Sequence, residues 1–154
     1  MTTQLLTLEN LDLLVQFEKD ARLTEPDIFI DDFDENIFRT ETEKNLANPL
    51  FSSARCLICV DDNRRAIGRI DFAITSTFSF GGVSQAYVDW VYVLKECRHK
   101  GAAQFLFSQT EDYLKGIGVN EFMLLMAENP EAQSFYRSFA GAEIQNYDVL
   151  RKNC

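Results

Sequence analysis

A mixed α/β fold, α+β in its arrangement, with helices on both faces of a mostly antiparallel sheet, follows from three features of the sequence. Two helix-like segments precede a pair of β-rich runs joined by a tight turn, a third β-rich run ends in a short basic loop, and that loop opens into a long amphipathic segment. At 154 residues, 46% hydrophobic and 25% charged, the chain suits one domain over residues 1–154 with a single core.

The first helix is expected near Asn10 to Arg22 and the second near Glu35 to Ala47. Between them, the stretch from Glu25 to Glu35 carries six carboxylates interleaved with Ile28, Phe29, Ile30 and Phe33. On its own it reads as a solvated turn that supplies helix N-caps. A β-hairpin follows, with runs from Ala54 to Asp61 and Ala66 to Ser76 around the turn formers Asp62-Asn63-Arg64. Phe78 to Ser84 is a loop with two glycines. The run from Ala86 to Leu94 is rich in β-branched and aromatic residues and reads as a half-buried strand. From Ala102 to Ile117, Phe105, Leu106, Tyr113 and Leu114 recur at helical spacing, with Gly116 and Gly118 as stop signals. Glu121 to Ala127 reads as a buried strand, Ala132 to Phe139 as a short helix and Glu143 to Leu150 as a closing strand.

The order strand, basic loop, helix at Val93 to Ala103 has a chemical meaning. The first N–H groups of such a helix are unpaired and lie at the positive end of its dipole, so a pyrophosphate can dock on them. Arg98, His99 and Lys100 form the basic loop. Gly101 lacks the Cβ that would hold an anion off the backbone, and Ala102 and Ala103 keep the first turn small.

Val93-Leu-Lys-Glu-Cys-Arg-His-Lys-Gly-Ala-Ala103 resembles the acetyl-CoA signature of the GNAT superfamily of N-acetyltransferases, Val-x-x-x-x-(Gln/Arg)-x-x-Gly-x-(Gly/Ala). Val93, Arg98, Gly101 and Ala103 stand in register. Asn129-Pro-Glu-Ala-Gln-Ser-Phe-Tyr136 is similar to a second family segment, Asn-x-x-Ala-x-x-Phe-Tyr, through Asn129, Ala132, Phe135 and Tyr136. The resemblance runs from about Ala54 to the C-terminus. It departs after the last helix, where the family's glycine position holds Ala140 and Gly141 follows.

The resemblance implies a GNAT-like acyl-CoA N-acyltransferase fold and acetyl-CoA as co-substrate, bound through Arg98, His99, Lys100, Gly101, Ala102 and Ala103 without a metal. It also implies that backbone groups of Val91 and Val93, exposed at a bulge and splay, hold the carbonyl and pantetheine. Asn129 would bond the pantetheine amides and Tyr136 would protonate the departing thiolate; both residues also read as ordinary helix-start and core residues. Asp89 is the candidate base. Strand alternation sets it on the face of Val91 and Val93, although an Asp amid Val, Trp and Tyr can equally pair with a buried donor. Tyr87 and Trp90 either line the acceptor pocket or pack beneath it. In the family the connection between the first two helices borders the acceptor, so the acidic segment acquires a second reading as an aromatic-lined mouth for an amine.

Cys56 and Cys59 lie at odd spacing within one strand, which sends them to opposite faces, and no second pair has zinc spacing. With Cys97 and Cys154 they read as reduced, partly buried thiols rather than as a metal or disulfide framework. The net charge of −9 argues against nucleic acid and anionic membranes and is compatible with a cationic acceptor. The N-terminal segment has neither a basic nor a long apolar stretch, and no run approaches membrane-spanning length, so a cytoplasmic protein is expected.

Three functions fit these features. The favoured one is direct attack by the primary amine of a small cationic acceptor, aminoglycoside- or polyamine-like, in a ternary complex. The second is acetylation of a protein or peptide amine, and the third is a non-catalytic CoA-binding module. A homodimer accords with family habit.

Overall fold

The structure, a computed structural model, describes residues 1–78, 82–126, 129–145 and 152. Met1–Leu124 form one compact unit and Leu125–Cys154 a second.

The first unit is built on a sheet of β1 (Thr2–Leu5), β2 (Ala54–Val60), β3 (Ala66–Thr77), β4 (Val83–Val93) and β5 (Phe122–Leu124), ordered as numbered. The first three pairings are antiparallel. The last, β4 with β5, is parallel. The strand–helix–strand crossover through α3 (Ala102–Gly116) makes it so, because β5 returns in the direction of β4. Helices α1 (Leu11–Thr24) and α2 (Glu35–Ala47) precede the hairpin, and α4 (Pro130–Arg137) belongs to the second unit.

Each face of the sheet takes its own helix. Leu11, Leu14, Val15, Phe17 and Ala21 form the buried stripe of α1 and pack on Cys56, Ile58, Val60, Ala66, Tyr92 and Leu94. These strand residues share one face by period-2 alternation. Each large side chain fully buried in this way contributes roughly 1.5–3 kcal/mol. On the opposite face, Phe72 meets Tyr113 of α3 with ring centroids 5.8 Å apart. Cys59 opposes Gly68 across the β2–β3 ladder. A Cβ built on Gly68 would lie 3.1 Å from Leu106 of α3. Cys56 and Cys59 therefore do face opposite ways. Burial pushes the Cys56 thiol well above its ordinary range and Cys59 up to about 11.

Several boundaries differ from expectation. β1 was not foreseen: a four-residue edge strand that pairs Thr2–Leu5 with Leu57–Val60 is too short for its alternation to stand out. α2 begins and ends where the sequence predicts, while α1 runs two residues beyond Arg22. α3 stops one residue before Ile117, and Gly118 turns the chain at φ +79°. α4 begins two residues before Ala132, because Asn129 caps it and Pro130 suits the first turn. The strand expected from Glu121 to Ala127 is limited to Phe122–Leu124, and Ala127 lies outside the described residues. Of the closing strand expected from Glu143, residues 143–145 are not strand and residues 146–150 lie outside the described residues. In the expected loop, residues 79–81 also lie outside, and β4 has begun by Val83.

Gly68 gives a test of how closely α3 sits on the sheet. Its Cβ position is bounded by Leu106 Cδ1 at 3.1 Å and by Tyr92 O and Val93 Cγ2 at 3.2 Å. The Tyr92 oxygen is backbone and cannot rotate away. Gly68→Val should destabilise the fold by about 1–3 kcal/mol through overpacking, read from the midpoint of urea unfolding.

Candidate active site

The start of α3 is shaped for an anion. Gly101 is its N-cap residue in the left-handed conformation, φ +83°, with no side-chain cap on the helix. Nothing lies within 4 Å of where its Cβ would be. The first intrahelical donor is Phe105, whose N–H bonds the Gly101 carbonyl at 2.9 Å. The amides of Ala102, Ala103 and Gln104 thus form the leading edge of the helix, carried by small side chains at its first two positions. An L-residue at Gly101 would cost about 1–2 kcal/mol in this conformation. His99 also has a positive φ, +58°, so the loop before the helix is tightly wound. These features fit a pyrophosphate-bearing ligand such as CoA.

Two of the basic side chains of this loop have other work. Arg98 donates from Nε to the Val93 carbonyl at 3.1 Å and from both terminal nitrogens to Glu25. Its guanidinium carbon also lies 5.1 Å from the centroid of the Tyr92 ring. Tyr92 donates its hydroxyl to the same Glu25 carboxylate. Lys100 Nζ donates to the Glu96 carbonyl at 2.7 Å. Arg98 therefore braces the loop against β4 and the end of α1 instead of standing as loose charge.

This changes the reading of the acidic segment. Glu25 is tied to Arg98, Asp31 to Arg22 at 2.8 Å, and Glu35 to Lys19 at 3.0 Å and Arg39 at 3.5 Å. Asp34 caps α2, accepting from the N–H groups of Asn36 and Ile37. Phe29 packs edge-on against Tyr92 and Trp90, at 5.0 and 6.4 Å. Four of the six carboxylates are thus structural, and the expected N-cap among them is Asp34.

β4 carries the second half of the site. Its pairing with β5 covers Ala86, Tyr87 and Val88 only. One residue later the β3–β4 register slips, so that Phe72 faces Val88, Asp71 faces Trp90, and Asp89 is the extra residue of a bulge. Beyond it, Leu94 donates to Ile67 of β3 at 2.9 Å. Alternation then turns the backbone groups of Val91 and Val93 away from β3. They point to the side where pairing with β5 has ended. The Val93 carbonyl is engaged by Arg98, which leaves its N–H as the group that can meet a ligand.

The bulge also breaks the alternation that set Asp89 on the face of Val91 and Val93. Asp89 is exposed rather than buried against a donor. It lines a cleft of about 740 Å³ with Asp71, Tyr87, Cys56, Arg55 and Tyr113. Thr42, Asn45 and Leu46 of α2 close another wall, and none of the residues from Glu25 to Glu35 contributes. Tyr87 is a lining residue; Trp90 instead stacks on Tyr92, 6.4 Å between centroids and 12° between planes. The one cationic side chain in the lining among the described residues, Arg55, donates to Tyr113 Oη and to the carbonyls of Ser52 and Ala54.

Asp71 escaped sequence reasoning. It pairs with Arg69 at 2.9 Å, Arg69 reaches Glu18, and Glu18 holds Arg22. Burial pushes the Asp71 carboxyl above its ordinary value against the pull of Arg69. The only sequence signal was an acid at an alternating position of a β-rich run, too common to single out. Among the described residues no His, Cys, Asp or Glu side chains gather in threes as a metal site, and no helix is long and apolar enough to cross a membrane.

In the second unit, Asn129 Oδ1 accepts from the Ala132 N–H at 2.8 Å as the cap of α4. Tyr136 packs edge-on with Phe135 and Phe139, at 5.4 and 6.1 Å. Burial raises its phenol pKa, so the hydroxyl keeps its proton at neutral pH. Gly141, at φ +77°, supplies the left-handed turn that Ala140 could not adopt cheaply.

The Glu25 brace has a pH signature. Burial alone would raise its pKa, but the Tyr92 hydroxyl and Arg98 outweigh burial and hold it below the ordinary 4.5. A depressed carboxylate stabilises the fold fully above its unfolded value and loses that contribution as pH falls through the folded one. Thermal midpoints should therefore fall as pH drops below about 4.5, and Glu25→Gln should flatten that part of the profile. An unaltered profile in the variant would refute the brace.

The Acetyltransferase (GNAT) family model matches residues 16–142. Similar solved structures include a ribosomal-protein-alanine N-acetyltransferase from Brucella melitensis biovar Abortus 2308, at 18% identity and TM-score 0.71, covering 99% of this chain and 100% of that one. An aminoglycoside acetyltransferase from an uncultured soil metagenomic sample, in complex with sisomicin, aligns at 17% identity and TM-score 0.76, covering 99% and 95%. The aminoglycoside N-acetyltransferase AAC(6')-Iy in complex with CoA aligns at 18% identity and TM-score 0.69, covering 99% and 100%. No match was found among curated proteins. At these identities the structural likeness is one of fold, and the family match over most of the sequence carries the assignment. With its uncapped helix start, left-handed Gly101 and parted strands, the chain belongs to the GNAT family of acetyltransferases and is an acetyl-CoA-dependent enzyme.

Proposed function

We propose that this enzyme acetylates a primary amine of a small cationic acceptor held in the cleft at the β4 bulge. The observation that carries the reading is the pair of carboxylates, Asp71 and Asp89, in a cleft whose single cationic lining residue among the described residues is already bonded. A cation gains there what an anion would lose. The aminoglycoside acetyltransferases among the similar structures support the same class of acceptor. The family match spanning both compact units supports one catalytic domain over residues 1–154. Free Cys56, Cys59 and Cys97 suit a reducing, cytoplasmic setting.

Acetyl-CoA supplies an activated acyl group on a thioester. Around it, the leading amides of α3 hold the phosphates, with Gly101, Ala102 and Ala103 allowing close approach and Arg98, His99 and Lys100 shaping the loop. Backbone groups of Val91 and Val93 orient the carbonyl and pantetheine, and Asn129 offers its amide nitrogen to the pantetheine amides. Asp89 takes a proton from the acceptor ammonium, directly or through water, and Tyr136 donates one to the departing thiolate. Most of the acceleration comes from holding the amine and the carbonyl together in this frame. A peptide amine is the second reading, supported by likeness to the ribosomal-protein-alanine enzyme.

A panel of amines assayed for thiol release tests the class: turnover of diamines or aminoglycosides above that of peptide amines is expected, and the reverse order would overturn it. Tyr136→Phe should lower kcat about 100-fold with CoA affinity unchanged by calorimetry. Equal rates would remove Tyr136 from the chemistry. Glu25→Gln should weaken CoA binding about tenfold, since the braced loop loses its anchor, while leaving KM for the amine unchanged. A calorimetric Kd for CoA equal to that of the wild type would show that the brace does not serve the cofactor.

A further inference from the structure

We infer that Asp71 is a second proton-handling carboxylate of the acceptor cleft, sharing with Asp89 the proton that an acceptor ammonium releases to become the attacking amine. The inference rests on the acceptor-cleft reading above and extends it to a residue on a different strand, outside both family motifs.

The bulge creates the pair. Two residues of β4, Asp89 and Trp90, oppose the single residue Asp71 of β3. Trp90 turns to the Phe29–Tyr92 aromatic cluster, and Asp89 and Asp71 both line the cleft. A like charge alongside disfavours ionisation of the more buried carboxyl, which here is Asp71.

The remaining charges around Asp71 do not neutralise it. Arg69, on its own strand, is divided between Asp71 and Glu18 of α1. Glu18 is shared in turn with Arg22. Cys56 of β2 bonds the Asp71 carboxyl, and its own thiol is held protonated by burial. Asp89 faces it from β4. Burial raises the Asp71 carboxyl; Arg69 and Cys56 oppose this, and Glu18 and Asp89 add to it. An inner carboxylate so raised is a better proton acceptor near neutral pH than an ordinary one.

The protons balance. The first proton of the ammonium moves to the carboxylate pair and leaves to solvent by way of exposed Asp89. The N–C bond then forms as the C–S bond breaks. The nitrogen's second proton offsets the one that the departing sulfur takes up. Asp71 thus never needs to reach solvent itself.

The test combines two readouts on the full chain: the pH dependence of kcat/KM with an amine that the wild type turns over, and a carboxyl-carbon NMR titration of the free protein. In the titration Asp71 should ionise above the ordinary aspartate range and move to lower pH in Asp89→Asn. In the kinetics Asp71→Asn should lower kcat/KM at least tenfold and move its acidic limb, because one of the two proton-accepting groups is lost. CoA affinity by calorimetry should stay within twofold. An Asp71→Asn enzyme with unmoved limb and rate, or an Asp71 resonance indifferent to Asp89→Asn, would overturn the inference alone. Wild-type protein that turns over no amine would overturn the function proposed above as well. Should Asp71→Asn fail to fold for want of its Arg69 partner, the titration in Asp89→Asn decides, since Asp89 is exposed and its replacement leaves that ion pair in place.

Discussion

The site depends on a change in how one strand is paired. β4 is hydrogen-bonded on both edges from Ala86 to Val88 and on one edge beyond it. Backbone polar groups freed from a ladder must find partners elsewhere, so a strand that parts from its neighbour is a standing demand for a ligand or a brace. Here both answers occur. Arg98 meets the Val93 carbonyl, and the outward groups of Val91 remain for whatever enters the gap. The slip at Asp89 comes at the same point, re-aiming one acid into the cleft as pairing with β5 ends. A bulge in mid-strand weakens the ladder locally, and it re-aims the side chain of its extra residue.

Charge inside the first unit is organised around the same strand. Asp71, Arg69, Glu18, Arg22 and Asp31 form one chain of ion pairs leading from the cleft across α1 to the α1–α2 connection. A second chain, Tyr92–Glu25–Arg98, runs from β4 to the phosphate loop. Buried pairs of this kind contribute little net stability, because desolvation offsets most of the attraction. Their value lies in geometry: breaking one leaves an uncompensated charge, so they hold α1, its following segment and the loop in a single arrangement. The acidic segment that looked like a mouth for substrate is better understood as the set of anchors for these chains.

Legibility in the sequence followed locality. The helix start at Gly101 was readable because strand, basic loop and small residues are consecutive, and α2 was readable because Asp34 caps it and its period is regular. β1 was not, since four residues at an edge derive their strand character from β2 rather than from their own pattern. Asp89 was singled out as the candidate base, and its direction was read from alternation. Alternation predicts direction only while the register holds, and a bulge is set by the partner strand, which no local rule consults. Asp71 and Glu25 were not singled out individually for the same reason. Their importance comes from Arg69, Glu18, Tyr92 and Arg98, brought to them by packing across up to 73 residues of sequence.

This division explains why the cofactor half of the reaction is easier to read than the acceptor half. In the proposed site the cofactor is gripped by backbone at one turn, so its recognition compresses into a contiguous motif with narrow residue requirements. The proposed acceptor cleft is lined by side chains from β1, α2, β2, β3, β4 and α3, each at one to three positions. Such a wall can be rebuilt residue by residue without touching the motif, which is how one fold serves many amines. In this chain the wall places its acids at the bulge and lines much of the rest with Leu5, Leu6, Leu46, Phe51 and Phe72. An acceptor matched to it would present its ammonium to the carboxylates and lay an apolar or weakly polar body along the cleft. The electrostatic end of that match is fixed by β3 and β4, whereas α2 sets its length. Selectivity among amines should therefore track substitutions at Thr42, Asn45 and Leu46 more than any change at the phosphate loop.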